Sequence, residues 1–169
     1  AIALVGLANY RNYQWHSDIR LWQSAKKLNP DSKRAVAMYA WSQMFSGKGD
    51  RKTAYKLAKE AYQKDKENVI LDLVLGTHHL VNNNYKDAYK YFKEGVKFAE
   101  KQKLSEEIIF KLESGLAESA LYLEDYDTAL TYAKKASKIQ KNNAKLYLIQ
   151  GRCLLAQDNP HGAFMKLQE

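Results

Sequence analysis

With 169 residues, 46% of them hydrophobic, the chain can bury a core, and only two prolines in a composition rich in Ala, Leu, Lys and Glu favour helix over strand. One cysteine, Cys153, excludes an internal disulfide framework and a cysteine-built metal site, and is expected as a small core residue. A net charge of +8 and a pI near 9.4 raise nucleic acid, a membrane surface or an acidic partner as counterparts, against the commoner explanation of a solvated lysine face.

In chain order, Ala1 to Ala8 is apolar, with Ile2, Leu4, Val5 and Leu7, and gives way to Asn9-Tyr10-Arg11-Asn12-Tyr13-Gln14-Trp15. That run is short of the ~20 residues a bilayer span needs, and it lacks the charged segment and cleavage site of a signal peptide. It reads as the tail of something longer, or as a first helix packing on Leu21 and Trp22. A partial unit thus covers 1–30, its second helix at about 15–30; complete hairpins follow at about 35–68, 69–104 and 105–143, and an incomplete one at 144–169. The turns within them read Gly49-Asp50, Asn83-Asn84-Tyr85, Glu124-Asp125-Tyr126 and Asp158-Asn159-Pro160, which join turn formers to N-cap donors.

Small residues recur through these elements. Early in each second helix stand Ala54, Ala88, Ala129 and Ala163, with Asp18 where an earlier one belongs, at intervals of 36, 34, 41 and 34. A period in that range marks stacked helical hairpins. Twelve residues before the four alanines come Ser42, Gly76, Ala117 and Gly151, because two helices joined by a short turn approach closely only where small side chains face each other. Seven residues after the second-helix marks come Ala25, Ala61, Gly95 and Ala136, two turns on and so on the same face. The 41-residue interval adds seven residues around Lys97 to Glu107, expected as about one extra turn on each of two helices.

The stretch Asp125-Tyr126-Asp127-Thr128-Ala129-Leu130 through Ala136, and Leu146-Tyr147 with Gly151, resemble the tetratricopeptide repeat; Trp22-Gln23-Ser24-Ala25 with Asn29-Pro30 resembles the end of another. Glu113, in place of a large residue early in its helix, and Asp18, in place of an alanine, depart from the pattern. The resemblance implies an all-α fold, a right-handed superhelical solenoid of antiparallel helical hairpins, as a single domain over 1–169. It also implies a concave wall lined by the first helix of each repeat. Helical phase and the family analogy place on that wall Val36, Tyr39 and Gln43, then Ile70, Leu73, Thr77 and Leu80, then Lys111, Ser114 and Glu118, then Lys145, Leu148 and Arg152. This groove is apolar at the first two hairpins and charged at the last two, which fits a protein or peptide ligand whose apolar segment is followed by acidic residues. Simple solvation of Lys111, Lys145 and Arg152 is the competing explanation. The basic and amide residues with which some chaperone-binding repeats clamp a terminal carboxylate are not matched, so chaperone docking is not expected.

Arg11-Asn12, Trp15, Ser17-Asp18, Leu21-Trp22, Asn29-Pro30 and Lys33-Arg34-Ala35 together resemble a junction in polytopic membrane proteins of the protein O-mannosyltransferase-like kind, where the last membrane helix passes into tetratricopeptide repeats. That resemblance implies a soluble, membrane-tethered domain on the non-cytoplasmic side, periplasmic in a bacterium, with any glycosyl transfer in another part. The alternative it raises is an accessory domain that holds the acceptor polypeptide of a membrane glycosyltransferase. At the other end, Ala163-Phe164-Met165-Lys166-Leu167 is amphipathic and stops before a repeat is finished, which raises further repeats or self-association there.

The excess charge falls on the second helices. Lys52, Lys56, Lys59, Lys86, Lys90, Lys93, Lys97, Lys134, Lys135 and Lys138 are expected to point outward, giving a basic convex face with some attraction for an anionic membrane surface. Nucleic acid is disfavoured, and an RNA-binding helical solenoid stays an outsider, because Tyr89, Tyr91 and Tyr132 are read as packed rather than as stacking platforms in a groove. No Gly-rich phosphate loop, nucleophile elbow or pair of histidines one turn apart is present. Adjacent His78 and His79 point about 100° apart on a helix, the first expected partly exposed and the second packed. Glu106, Glu107, Asp125 and Asp127 stand at helix starts, where negative charge is favoured without chemistry. A non-catalytic chain with no cofactor and no metal is expected.

Overall fold

The structure, a computed structural model, describes residues 18–157. Among them are eight α-helices and no strand: α1 Asp18–Leu28, α2 Lys33–Phe45, α3 Arg51–Tyr62, α4 Val69–Val81, α5 Tyr85–Ala99, α6 Glu106–Tyr122, α7 Tyr126–Ile139 and α8 Ala144–Ala156. The apolar segment at the start of the chain, most of the junction residues before Asp18, the turn at Asp158-Asn159-Pro160 and the amphipathic C-terminal end lie outside the described residues.

Side-chain caps explain where most helices begin. Ser32, Asp50, Asn84, Asp125 and Asn143 each accept a hydrogen bond from a backbone N–H of the first turn that follows, at 3.0–3.4 Å. Asn68 does the same for α4, its Oδ1 accepting from Ile70 N–H at 3.1 Å. Just before the caps Asn84 and Asp125, Asn83 and Glu124 turn left-handed, with φ of 58° and 62°. The same tight connection is thus built twice, 41 residues apart.

The long interval resolves into helix. α5 has 15 residues against 12 in α3, and α6 has 17 against 13 in α4, while the turns between them keep their lengths. Three residues enter one helix and four the other, which matches the expected turn on each closely enough to keep the apolar faces in phase.

Contacts divide the chain into two units, one ending at Val74 and the other beginning at Leu75, within α4. In the first, α2 packs against both α1 and α3. Its core holds Ala35, Ala37, Ala40 and Met44 of α2 with Ala54, Leu57 and Ala58 of α3. In the second, α6 packs on α5 and α7, α8 packs on α7, and α6 also touches α8. Ala117, Ala120, Leu121, Ala129, Ala133, Ala136, Leu146 and Ile149 form one buried cluster there. Ala54, Ala88, Ala129, Ser42, Gly76, Ala117 and Gly151 are all buried, and two glycines press on Phe92. A Cβ added at Gly76 or at Gly115 would come within 3.0 Å of its ring, so both glycines are required by the space the aromatic side chain fills.

Candidate functional site

Three residues expected on the open wall prove to be core residues. Leu73 is fully buried, Tyr39 is 9% exposed and Gln43 is 8% exposed. The Gln43 amide is engaged twice, its Nε2 donating to the Tyr39 hydroxyl at 3.0 Å and its Oε1 accepting from the Asp50 N–H at 2.7 Å. Its role is to fasten the end of α2 to the start of α3, which corrects the expectation that Tyr39, Gln43 and Leu73 face a ligand. Val36 and Ile70 are half-buried, and Val36 borders an open cavity of ≈ 250 Å³ at whose edge the Lys33 ammonium lies 3.8 Å from Asp65. Thr77 and Leu80, in the later half of α4, are half-buried as well.

The remaining six residues fall on α6 and α8 of the second unit. Lys111, Ser114 and Glu118 recur at i, i+3 and i+7 on α6, and Lys145, Leu148 and Arg152 repeat that spacing on α8, so each trio shares a helix face. The two faces adjoin. Lys145 Nζ donates to Glu118 Oε2 at 2.6 Å, and the Arg152 guanidinium stands 6.0 Å from the centre of the Tyr122 ring. Tyr122 in turn stacks on Tyr85, with ring centres 4.1 Å apart and an interplanar angle of 10°. Lys111 lies 3.7 Å from Glu107 on its own helix.

Apolar surface is left open beside these charges. Leu148 is 50%, Leu155 51% and Tyr122 46% exposed. Sequence periodicity did not single out Tyr122, Tyr85 or Leu155, although Tyr122 follows Glu118 by one turn and Leu155 follows Arg152 by three residues. Extending each trio by one more step would have found two of them. The exposed Lys145–Glu118 pair contributes about 0–1 kcal/mol, but it satisfies the acid of this face. Arg152 has no carboxylate within ion-pair distance among the described residues, so an unpaired guanidinium held over an aromatic ring sits between two exposed leucines.

No family model matches the sequence, and no curated protein matches it. Solved structures do match. A crystal structure of MamA shares 14% identity over 89% of this chain and 82% of its own, with a TM-score of 0.64. YrrB, described as a TPR protein with an unusual peptide-binding site, shares 17% identity over 87% of this chain and 73% of its own, with a TM-score of 0.68. The hetero-tetramer Cut9-Hcn1 supplies a further likeness at 15% identity and a TM-score of 0.63, covering 89% of this chain and 35% of that one. The fold is that of the tetratricopeptide repeat. At such identities the likeness extends to the fold and not to individual residues.

Within the tetratricopeptide-repeat frame, Met38, Asp72, Glu113 and Tyr147 are equivalent, each four residues before the small residue of a first helix. Two of the four are acids, and Asp72, which the sequence pattern did not flag, is fully buried. Burial pushes the Glu113 carboxyl above its ordinary pKa, against the opposing pull of Lys135 and Lys138. His79 stacks on Tyr91 at 5.5 Å, while burial, followed by the charge of His79, lowers the His78 pKa. All ten second-helix lysines are exposed. Tyr89 and Tyr132 pack against the buried cluster of the second unit, so they offer no open stacking platform. Among the described residues, no three His, Cys, Asp or Glu side chains are placed to hold a metal ion, and no helix is long and apolar enough to cross a membrane.

Proposed function

We propose that this repeat domain is a binding scaffold that takes an extended or helical peptide segment on the joined faces of α6 and α8. One observation carries the reading: Leu148 and Leu155 are half-exposed on either side of Arg152, whose guanidinium has no carboxylate partner among the described residues. Exposed leucines beside an aromatic ring supply apolar anchorage, and a cation without an acid fixes direction by pairing with an aspartate or glutamate of the ligand. A helical ligand would present its own anchors to this face at i, i+3, i+4 and i+7 spacing. That a protein of the same fold, YrrB, is described as having a peptide-binding site supports the class of ligand.

A random peptide library selected against the whole chain tests this. The expected yield is sequences with one or two large apolar residues and an acid on the same face or strand side, and their binding is lost in Arg152→Glu and weakened in Leu148→Ala. Selected peptides that bind both variants as tightly as the parent would remove the face from the account.

A membrane-tethered setting for this scaffold is the finer part of the proposal, and it is supported by the N-terminal sequence resemblance together with the exposed lysines, which suit an anionic surface. Salt-sensitive co-sedimentation with vesicles containing phosphatidylserine, absent with vesicles of phosphatidylcholine alone, is the expected outcome. Equal sedimentation with both would contradict it.

A further inference from the structure

Two departures from the repeat pattern meet at one place. The lengthened end of α5 and the lengthened start of α6 face α7 across an open cavity of ≈ 210 Å³. Its apolar walls are Val96, Ala99, Ile109 and Leu112, and its polar members are Glu100, Glu113 and Lys135. Ala99 and Ile109 belong to the turns that the seven extra residues add, while Glu113 stands where the repeat carries a large residue. Both features thus contribute residues to the cavity lining. On α6, Glu113 lies on the side opposite Lys111 and Glu118, so this cavity is separate from the α6–α8 face.

One oxygen of Glu113 is not satisfied among the described residues. Its Oε2 is shielded from solvent and accepts no hydrogen bond among the described residues. Lys135, which lines the cavity, holds its ammonium over the Tyr132 ring at 4.7 Å. A carboxylate oxygen kept from water and given no donor is destabilising for the fold alone, and groups of that kind call for a function or an occupant.

We propose that the cavity binds a cationic group on a short aliphatic stem, an alkylammonium or guanidinium carried by a polypeptide side chain or by a free amine. The four apolar walls suit the stem and the carboxylates of Glu113 and Glu100 suit the head, the division that long basic side chains show wherever they pack. Among the ionisable residues that line the cavity the acids Glu100 and Glu113 outnumber the lysine, Lys135. The volume lies below the roughly 300 Å³ at which pockets for drug-sized ligands begin, and so suits one side chain rather than a larger molecule. Rotation about the terminal carboxyl torsion, which is broad, turns the orphaned oxygen toward a donor in the cavity. A bound cation would also reverse the upward push that burial exerts on the Glu113 pKa.

The test uses the whole chain and three probes: n-butylammonium, N-acetyl-lysine N-methylamide, and N-acetyl-norleucine N-methylamide, which keeps the stem and loses the charge. Backbone amide shifts are followed through each titration in the parent and in Glu113→Gln, a neutral replacement of the same shape that is expected to fold at least as well. The expected result is saturable shifts at Ala99, Ile109 and Leu112 with the lysine probe, a fall in the Glu113 pKa, and binding about tenfold weaker or worse for both the norleucine probe and Glu113→Gln. Butylammonium binding as well as the blocked lysine would identify a free amine as a sufficient occupant, and weaker binding would assign the cation to a polypeptide; each upholds the site. No saturable shift with either cation, norleucine binding equal to lysine, or unchanged binding in Glu113→Gln would overturn it. Arg152→Glu is expected to leave these titrations unaltered, so failure of the α6–α8 face and failure of this cavity are distinguishable.

Discussion

Gly115 shows how a single atom is weighed in this core. Alanine there would gain up to about 1 kcal/mol of helix propensity, but its methyl would fall within 3.0 Å of several atoms of the Phe92 ring, which is itself 1% exposed and has nowhere to move. Overpacking of that kind costs about 1–3 kcal/mol, so Gly115→Ala is expected to destabilise, by a net amount of up to about 2 kcal/mol in urea denaturation. Asp125 makes a different case. Burial raises its pKa, yet hydrogen bonds from the Thr128 side chain, the Thr128 N–H and the Tyr89 hydroxyl, helped by Lys93, outweigh it and leave the carboxyl below its ordinary 3.8. A depressed carboxylate pKa adds stability that is fully present above the unfolded value and disappears as pH falls through the folded one. Asp125→Ala is therefore expected to cost about 1–2 kcal/mol near neutral pH, a difference from the parent that shrinks below about pH 4 when melting is followed against pH. Cys153, fully buried in α8, has its thiol pushed by burial up to about 11. It should stay unreactive toward a thiol reagent at pH 8 until the chain is unfolded, and rapid labelling of the native protein would contradict its placement.

At the scale of the helix, periodicity carried the reading where a helix has one apolar face and failed where it has more. The hairpins were legible because small residues recur at fixed intervals and because Asp50, Asn84 and Asp125 mark helix starts that the structure caps as expected. α6 and α8 declare their open sides by charge, so helical phase together with the family analogy groups Lys111, Glu118, Lys145 and Arg152. α2 and α4 give no such contrast. In α4, Leu71, Asp72, Leu73, Val74 and Leu75 are buried in succession, which takes in every side of the helix. Phase cannot choose an outward face for an element buried on every side, which is why the expectation for Leu73 fails. Tyr39 and Gln43 escaped for another: their mutual hydrogen bond and the link to Asp50 are tertiary, and no spacing rule reports them. The 41-residue interval points to the two helices that take up the seven extra residues, but the cavity beside Glu113 depends on side chains from three elements.

For the molecule as a whole, the exposed second-helix lysines and the proposed recognition face lie on different helices. The exposed lysines of α3, α5 and α7 make a diffuse positive field that salt screens over about 8 Å at physiological strength. The proposed recognition by Arg152, Leu148, Leu155 and Tyr122 would rest on one cation and several apolar contacts, so its dependence on salt is expected to be shallow where adsorption to an anionic surface is steep. The most direct measurement is a charge exchange on one peptide selected by the parent chain. Binding by fluorescence anisotropy is compared for the parent and Arg152→Glu, each with the peptide and with a version whose acid is replaced by lysine. Tight binding is expected for the two oppositely charged pairs and weak binding for the two like-charged ones, since a direct contact couples the substitutions. Additive losses, with no recovery in the doubly exchanged pair, would contradict recognition at the α6–α8 face.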